Sequence, residues 1–473
     1  MNATRDALPS DPTLWDATTQ AAAIREGRLG SEQLLDLQLE RLARADSEPW
    51  RVNAVCTTDL ERARAACREA DEAVRHGDPL GPLHGLPITI KDAIATEGIV
   101  STGGATVLRD HVPKADAPAV AALRRAGAIV WGKTNLPEWS GEWQSFNELF
   151  GTTNNPWDPA RTPGGSSGGA AAAVACGISS FELGTDIGGS VRVPASMCGV
   201  FGHKPSFGVI PTLGYLDEPR GGDTQSDVNT FGPIARSARD LAMLLDVLVM
   251  PTPDLAPAVR IELPRADDVR SLEGLRVAAW IDEPTMPIES AMRSVLHRAV
   301  DAIEAAGAVV DRAARPAIDP ATWIDGARLI GAAVSVSDDD ERPLTHQRWL
   351  RMHRERERRR AEWARFFESF DVVVCPVTTV VAFEHAQEGG WDTRSVPFDG
   401  GTIRYLELEA WPATVGAAYL PSTSVPVGFT AAGLPVGMQV VSPFLHDHRS
   451  IAVAGLVADA CLAGYHPPPC TFR

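Results

Sequence analysis

Two serines stand among glycines in this chain, and both positions suit chemistry better than packing. One run reads Gly164-Gly165-Ser166-Ser167-Gly168-Gly169, and a second reads Gly184-Thr185-Asp186-Ile187-Gly188-Gly189-Ser190. Glycine lets backbone N–H groups come close to a ligand, so a serine set in such a run is presented rather than packed. No histidine motif accompanies the pair. A lysine does, at the end of Gly85-Leu86-Pro87-Ile88-Thr89-Ile90-Lys91-Asp92. A hydroxyl nucleophile needs a base, and the negative oxygen formed when it attacks a carbonyl needs N–H donors. Serine, lysine and a glycine-rich cradle together read as acyl-transfer hydrolysis.

Three other patterns compete with this reading and are weaker. Gly127-Ala128-Ile129-Val130-Trp131-Gly132-Lys133-Thr134 matches the phosphate-loop pattern letter for letter. That mechanism requires a flexible loop leading into a helix. Here the middle residues form an apolar strand, and Asn135-Leu136-Pro137 follows where a helix should run, so a nucleotide site is not expected. His446-Asp447-His448 resembles a metal-ligand pair but has no third ligand in view, and reads as a polar loop before the last helix. The Arg354–Arg360 run alternates with Glu355 and Glu357 on a segment that also holds Trp349, Trp363, Phe366, Phe367 and Phe370. It reads as the solvated face of a packed helix rather than a nucleic-acid surface.

The elements that must position these groups alternate between helix and strand. The first 80 residues read as a helical arm, with Ser31 capping one segment and Thr58–His76 forming another closed by Gly77. From there the pattern predicts strands at 87–91, 128–131, 275–280, 309–311, 371–375 and 436–441. It predicts helices at 116–125, 167–176, 288–306 and 449–461. Ser237 and Asp240 form a capping box before the apolar run Leu241–Met250. This alternation predicts an α/β fold, a sheet covered by helices on both faces. One domain over 1–473 is expected, with 1–80 as arm, 80–245 carrying the motifs, 315–370 as a helical insertion and 371–473 completing the core. The Gly- and Pro-rich stretch 206–232 reads equally as a lid or as a surface loop. Leu406–Tyr419, with Trp411, reads equally as pocket wall or as core.

Composition sets outer limits. The chain has 473 residues, 44% of them hydrophobic, and a net charge of −17. Such a balance disfavours nucleic acid and anionic membrane surfaces as partners and suits a neutral or cationic small molecule. The start, Met1–Pro12, carries Arg5, Asp6 and Asp11 with no apolar h-region, so no secretory signal is expected. No run is apolar enough to span a bilayer. Seven scattered cysteines, with no C-x-x-C, predict no disulfide framework and a cytoplasmic location. No cofactor is called for.

The long motifs 85–92, 162–169 and 184–195, continued by Gly199 and Gly202-His203-Lys204-Pro205, resemble the amidase signature family. The likeness runs through residues 80–245 and parts of 371–460, and it implies that family's mixed, twisted sheet between helical layers. It also implies a role for each residue. Ser190 is the nucleophile, Ser166 relays its proton and follows a cis peptide bond, and Lys91 is the base, which must be neutral. The backbone N–H groups of Ile187, Gly188, Gly189 and Ser190 receive the oxyanion. Ser140 lines the acyl site through its backbone beside Ser166, and Ser167, Thr185, Asp186 and Arg192 support the turn. The resemblance extends to soluble bacterial amidases and to the urethanases of the family, implying cleavage of small amides and carbamates, with esters as a further option, by a monomer or homodimer. The same residues serve the glutaminase subunit of tRNA-dependent amidotransferases, although 206–233 departs from what that group shows. A non-catalytic binding protein is the remote third reading.

Overall fold

The computed structural model describes residues 10–219, 221–334, 344–391, 393–462 and 465–472. The reading of residues 1–9 lies outside them. Eight strands form the central sheet, in the order Val309–Asp311, Arg276–Ala279, Val372–Pro376, Pro435–Val441, Ser422–Phe429, Phe201–Lys204, Thr230–Ala235 and Glu182–Asp186. The first three are parallel to one another and the remaining pairings are antiparallel. The sheet is therefore mixed, as expected. Two of its inner strands, Val372–Pro376 and Pro435–Val441, are buried along their whole length, so they read in sequence as largely apolar runs.

A second sheet of three strands holds the lysine. Pro87–Lys91 runs parallel to Ile129–Thr134, which pairs antiparallel with Val55–Thr58. The last of these was not expected, because Val55-Cys56-Thr57-Thr58 is too short to show a period. Lys133, the lysine of the phosphate-loop pattern, lies within the middle strand and is fully buried. Its Nζ donates to the Ile94 carbonyl at 2.5 Å and to Thr96 Oγ1 at 2.7 Å, so it ties strand to loop.

The helix Gly168–Ala175 touches strands of both sheets, and every residue in it is buried. Its sequence, Gly-Gly-Ala-Ala-Ala-Ala-Val-Ala, explains how: small side chains let backbones approach on all sides. Two caps differ from expectation. Gly30, not Ser31, caps Ser31–Ala45, and Ser31 Oγ donates to the Gly85 carbonyl instead. Ser237 does cap Ala238–Leu248, but the Asp240 carboxylate turns away from it to accept from the Ala17 and Thr18 amides. That contact fastens the N-terminal arm to the core. Among the described residues no helix is long and apolar enough to cross a membrane.

Candidate active site

Lys91 ends its strand beneath the glycine-rich loop that carries Ser166. Its Nζ lies 2.6 Å from Ser166 Oγ and 2.7 Å from Thr185 Oγ1, and neither Lys91 nor Ser166 has any exposure. The Gly165–Ser166 peptide is cis. Burial drags the Lys91 amine well below its ordinary value, and the charges of Asp186 and Glu182 only partly push it back. An uncharged amine in this position can donate to Thr185 and accept from the Ser166 hydroxyl. Asp92, the next residue, is equally buried and takes the Thr102 amide at 3.0 Å, so the Lys91-Asp92 pair is no surface feature.

The segment that carries Ser190 lies against the one that carries Ser166. The Ser167 amide donates to the Ser190 carbonyl at 3.1 Å, joining the two glycine-rich segments back to back. Ser167 Oγ also bridges to the Thr185 backbone, donating to its carbonyl and accepting from its amide at 3.3 Å each. Ser190 is half-buried on the wall of a cavity of about 460 Å³, while Ser166 and Lys91 lie fully buried.

The turn before Ser190 is held by one buried ion pair. Asp186 accepts from Arg192 Nε at 3.0 Å and Nη2 at 2.9 Å, and both side chains are wholly buried. Burial pushes the Asp186 carboxyl up, but the Arg192 charge and hydrogen bonds outweigh it and hold it below its ordinary value. The same carboxylate takes the Gly189 amide at 2.8 Å and the Val191 amide at 3.1 Å. This corrects one expectation. The Gly189 N–H is engaged inside the turn and braces it, leaving the amides of Ile187, Gly188 and Ser190 without partners among the described residues. Gly189 is still required: its φ is +120°, and a Cβ there would lie 2.8 Å from Pro412.

Several site residues carry no local signal in the sequence. Ser145 Oγ donates to the Gly164 carbonyl and accepts from the Gly168 amide, both at 3.0 Å, so it spans the loop around Ser166. Tyr215 lines the cavity and faces the hydroxyls of Ser140 and Thr185, with burial pushing its phenol up to about 12. Tyr215 bridges to Ile94 beyond the lysine strand, so this part of 206–232 is joined to that strand's end and forms part of the wall. Trp139, Trp143 and Trp391 give the cavity its apolar faces, and Trp391 Nε1 donates to the Gly141 carbonyl at 2.9 Å. Ser140 lies on the wall in a left-handed conformation, φ +57°. Of the stretch 406–419, Leu406 and Glu409 line the cavity, while Trp411 packs against Trp280 in the core.

The charges around the cavity are one-sided. Among the described residues its lining includes Glu142, Asp217 and Glu409 and no lysine or arginine. Glu142 is neutralised by Arg394 at 2.5 Å. Glu409 has no partner among the described residues, and burial pushes its carboxyl up to about 8. The histidines play no part here. Asp447 takes the Ser206 amide and hydroxyl at 2.7 Å each and pairs with His203 at 3.2 Å in the core, while His448 pairs with Asp246. Among the described residues no group of three or more His, Cys, Asp or Glu is arranged to hold a metal.

Comparison with known proteins gives a consistent picture. The family model described as Amidase matches residues 35–324 and 337–451. One component of the glutamyl-tRNA(Gln) amidotransferase of Roseiflexus sp. (strain RS-1) is 33% identical over 465 residues, spanning 89% of this chain and 91% of that protein. The indoleacetamide hydrolase of Bradyrhizobium diazoefficiens is 30% identical over 480 residues, spanning 94% of this chain and 86% of that protein. Among solved structures, the peptide amidase of Stenotrophomonas maltophilia superposes with a TM-score of 0.78 at 26% identity, over 96% of this chain and 98% of that one.

Proposed function

We propose that this chain, which belongs to the amidase signature family and is a hydrolase of C–N bonds, cleaves small amides and carbamates through an acyl-enzyme on Ser190. The observation that carries the mechanism is the fully buried Lys91 amine 2.6 Å from Ser166 Oγ, behind a Ser190 that reaches the cavity. Ser190 Oγ attacks the carbonyl carbon, and its proton passes through the Ser166 hydroxyl to the neutral Lys91 amine. The amides of Ile187, Gly188 and Ser190 receive the negative oxygen; each donor of this kind typically lowers the barrier by ~2.7–4 kcal/mol. As the C–N bond breaks, the proton returns through Ser166 to the departing amine. Water then repeats the sequence on the ester and frees Ser190. When the substrate is a carbamate, the ester left on Ser190 is a carbonate, and its hydrolysis gives an alcohol and carbon dioxide beside the amine already released.

The choice of substrate rests on the cavity. Three tryptophans and about 460 Å³ suit a small aryl or alkyl group. Amides, carbamates and also esters present the same carbonyl to Ser190. A second reading, the glutaminase component of a tRNA-dependent amidotransferase, is favoured by the Roseiflexus relative. Free glutamine carries a carboxylate, however, and the described lining offers it acids and no cation. In our reading the small molecule is the only partner, with nucleic acid and membrane surface disfavoured by the net charge of −17. The enzyme works in the cytoplasm as a monomer or homodimer.

The test is to assay the lone chain on p-nitroanilides, aryl carbamates and glutamine, and to trap the acyl-enzyme for mass analysis. Turnover of the first two with an adduct on Ser190 is expected. Turnover of glutamine alone, or an adduct elsewhere, would overturn the proposal.

A further inference from the structure

The mechanism makes no use of cysteine, yet two of the seven, 294 positions apart in the sequence, lie together. Cys176 caps the buried helix Gly168–Ala175, and Cys470 sits in the short turn Pro469–Thr471 near the C-terminus. Their sulfurs are 3.1 Å apart and each residue is 1% exposed. The tail is anchored independently of this contact: Arg41 Nη1 donates to the Thr471 carbonyl at 2.5 Å, and the Tyr465 hydroxyl donates to the Ala175 carbonyl. The two sulfurs therefore meet because the chain on either side is fixed.

We infer that Cys176 and Cys470 are an oxidation site that closes to an intrachain disulfide on exposure to a low-molecular-weight disulfide such as oxidised glutathione. A disulfide bond is about 2.05 Å long, so the sulfurs must approach by roughly 1 Å. Cys198 instead donates its thiol to the Pro163 carbonyl at 3.5 Å. Cys56 and Cys461 are half-buried, and neither is paired with another cysteine.

The exchange balances in two steps. One thiolate attacks the reagent's S–S bond, expelling one small thiol and leaving a mixed disulfide. The second protein thiol loses its proton, attacks the protein-bound sulfur of that mixed disulfide and expels the other small thiol. Two protein S–H bonds and one reagent S–S bond become one protein S–S bond and two small thiols, with two electrons passing to the reagent. Its hydrogen bond with Cys470 and its burial hold the Cys176 thiol well above its ordinary value. Thiolate is scarce in the closed fold, so reaction is slow until the tail lifts. In a reducing compartment the pair stays as thiols; oxidant converts it to a bond tying the tail to the helix that follows Ser166 and Ser167. That bond would close a loop of 294 positions. Long loops of this kind constrain the unfolded chain most.

The test uses the full chain, treated with oxidised glutathione both folded and during refolding, then blocked by alkylation and digested without reductant. A linked peptide pair joining 176 to 470 is expected, with an intact mass lower by two hydrogens and reversal by dithiothreitol. The melting midpoint should rise by about 3 °C or more on oxidation and fall back on reduction, and Cys470→Ser should lose that response. Recovery of 176 and 470 as alkylated free thiols under both treatments, or a 198–470 pair, would overturn the inference. The peptide map of the unmutated protein decides the matter even if Cys470→Ser fails to fold.

Discussion

Glu409 and Gly188 exclude each other's growth. A Cβ on Gly188 would stand 2.6 Å from Glu409 Oε1, so this glycine of the turn before Ser190 lies beside a carboxyl that fills the space. This carboxyl lies in the cavity wall without a partner among the described residues, and burial raises it from 4.5 to about 8. The folded protein therefore keeps a proton that the unfolded chain gives up. Its contribution to stability is full below pH 4.5 and is lost as pH rises through about 8. Glu409→Gln, which keeps shape and cannot titrate, should flatten this part of the pH–stability curve measured by urea denaturation. Equal slopes in both proteins would place the titration elsewhere.

Ser190→Ala should abolish labelling by a fluorophosphonate and lower kcat/KM by on the order of 10³-fold or more. Ser166→Ala and Lys91→Ala should lose similar activity while labelling slowly at Ser190, because they remove proton transfer and leave the attacking oxygen. Rapid labelling of both at the wild-type rate would separate Lys91 and Ser166 from the reaction.

Glu182 tests the state of the lysine. Its carboxylate accepts from Thr89 Oγ1 at 2.5 Å, two residues before Lys91, and its charge is one of the two that hold the Lys91 amine up. Burial places Glu182 itself at about 7. Glu182→Gln removes that charge, so Lys91 loses its proton more readily. The limb of kcat/KM that rises as the base deprotonates should move to lower pH, by up to about one unit. Movement toward higher pH would contradict a neutral lysine base.

Arg192 should matter to folding as much as to rate. Removing it leaves Asp186 charged, buried and without its cation, which costs roughly 3–5 kcal/mol. Arg192→Met, followed by chemical denaturation, should show that loss together with reduced activity. An unchanged unfolding midpoint would mean that the turn does not depend on the pair.

Strands such as Pro87–Lys91 and Val372–Pro376 were legible in the sequence because an unbroken apolar run needs burial on both faces. The strand Val55–Thr58 was not, since it draws its stability from pairing with Ile129–Thr134. The resemblance fixed the reading of the glycine-rich motifs, including Ser166 and Ser190, because glycines at set intervals around a serine record a backbone that must approach its substrate. It could not fix Gly189, whose amide had two possible recipients until Asp186 was seen beneath it.

By itself, then, the order of residues pointed to the candidate reacting groups through glycine spacing, and determined the fold class that carries them through the alternation of apolar runs. Only the tertiary structure decided what surrounds those groups. Ser145, Tyr215, Trp391 and Glu409 come from four separate segments, and no local pattern marks them. Their part in the site is a matter of through-space contact, and contacts between distant segments exist only after the chain has packed.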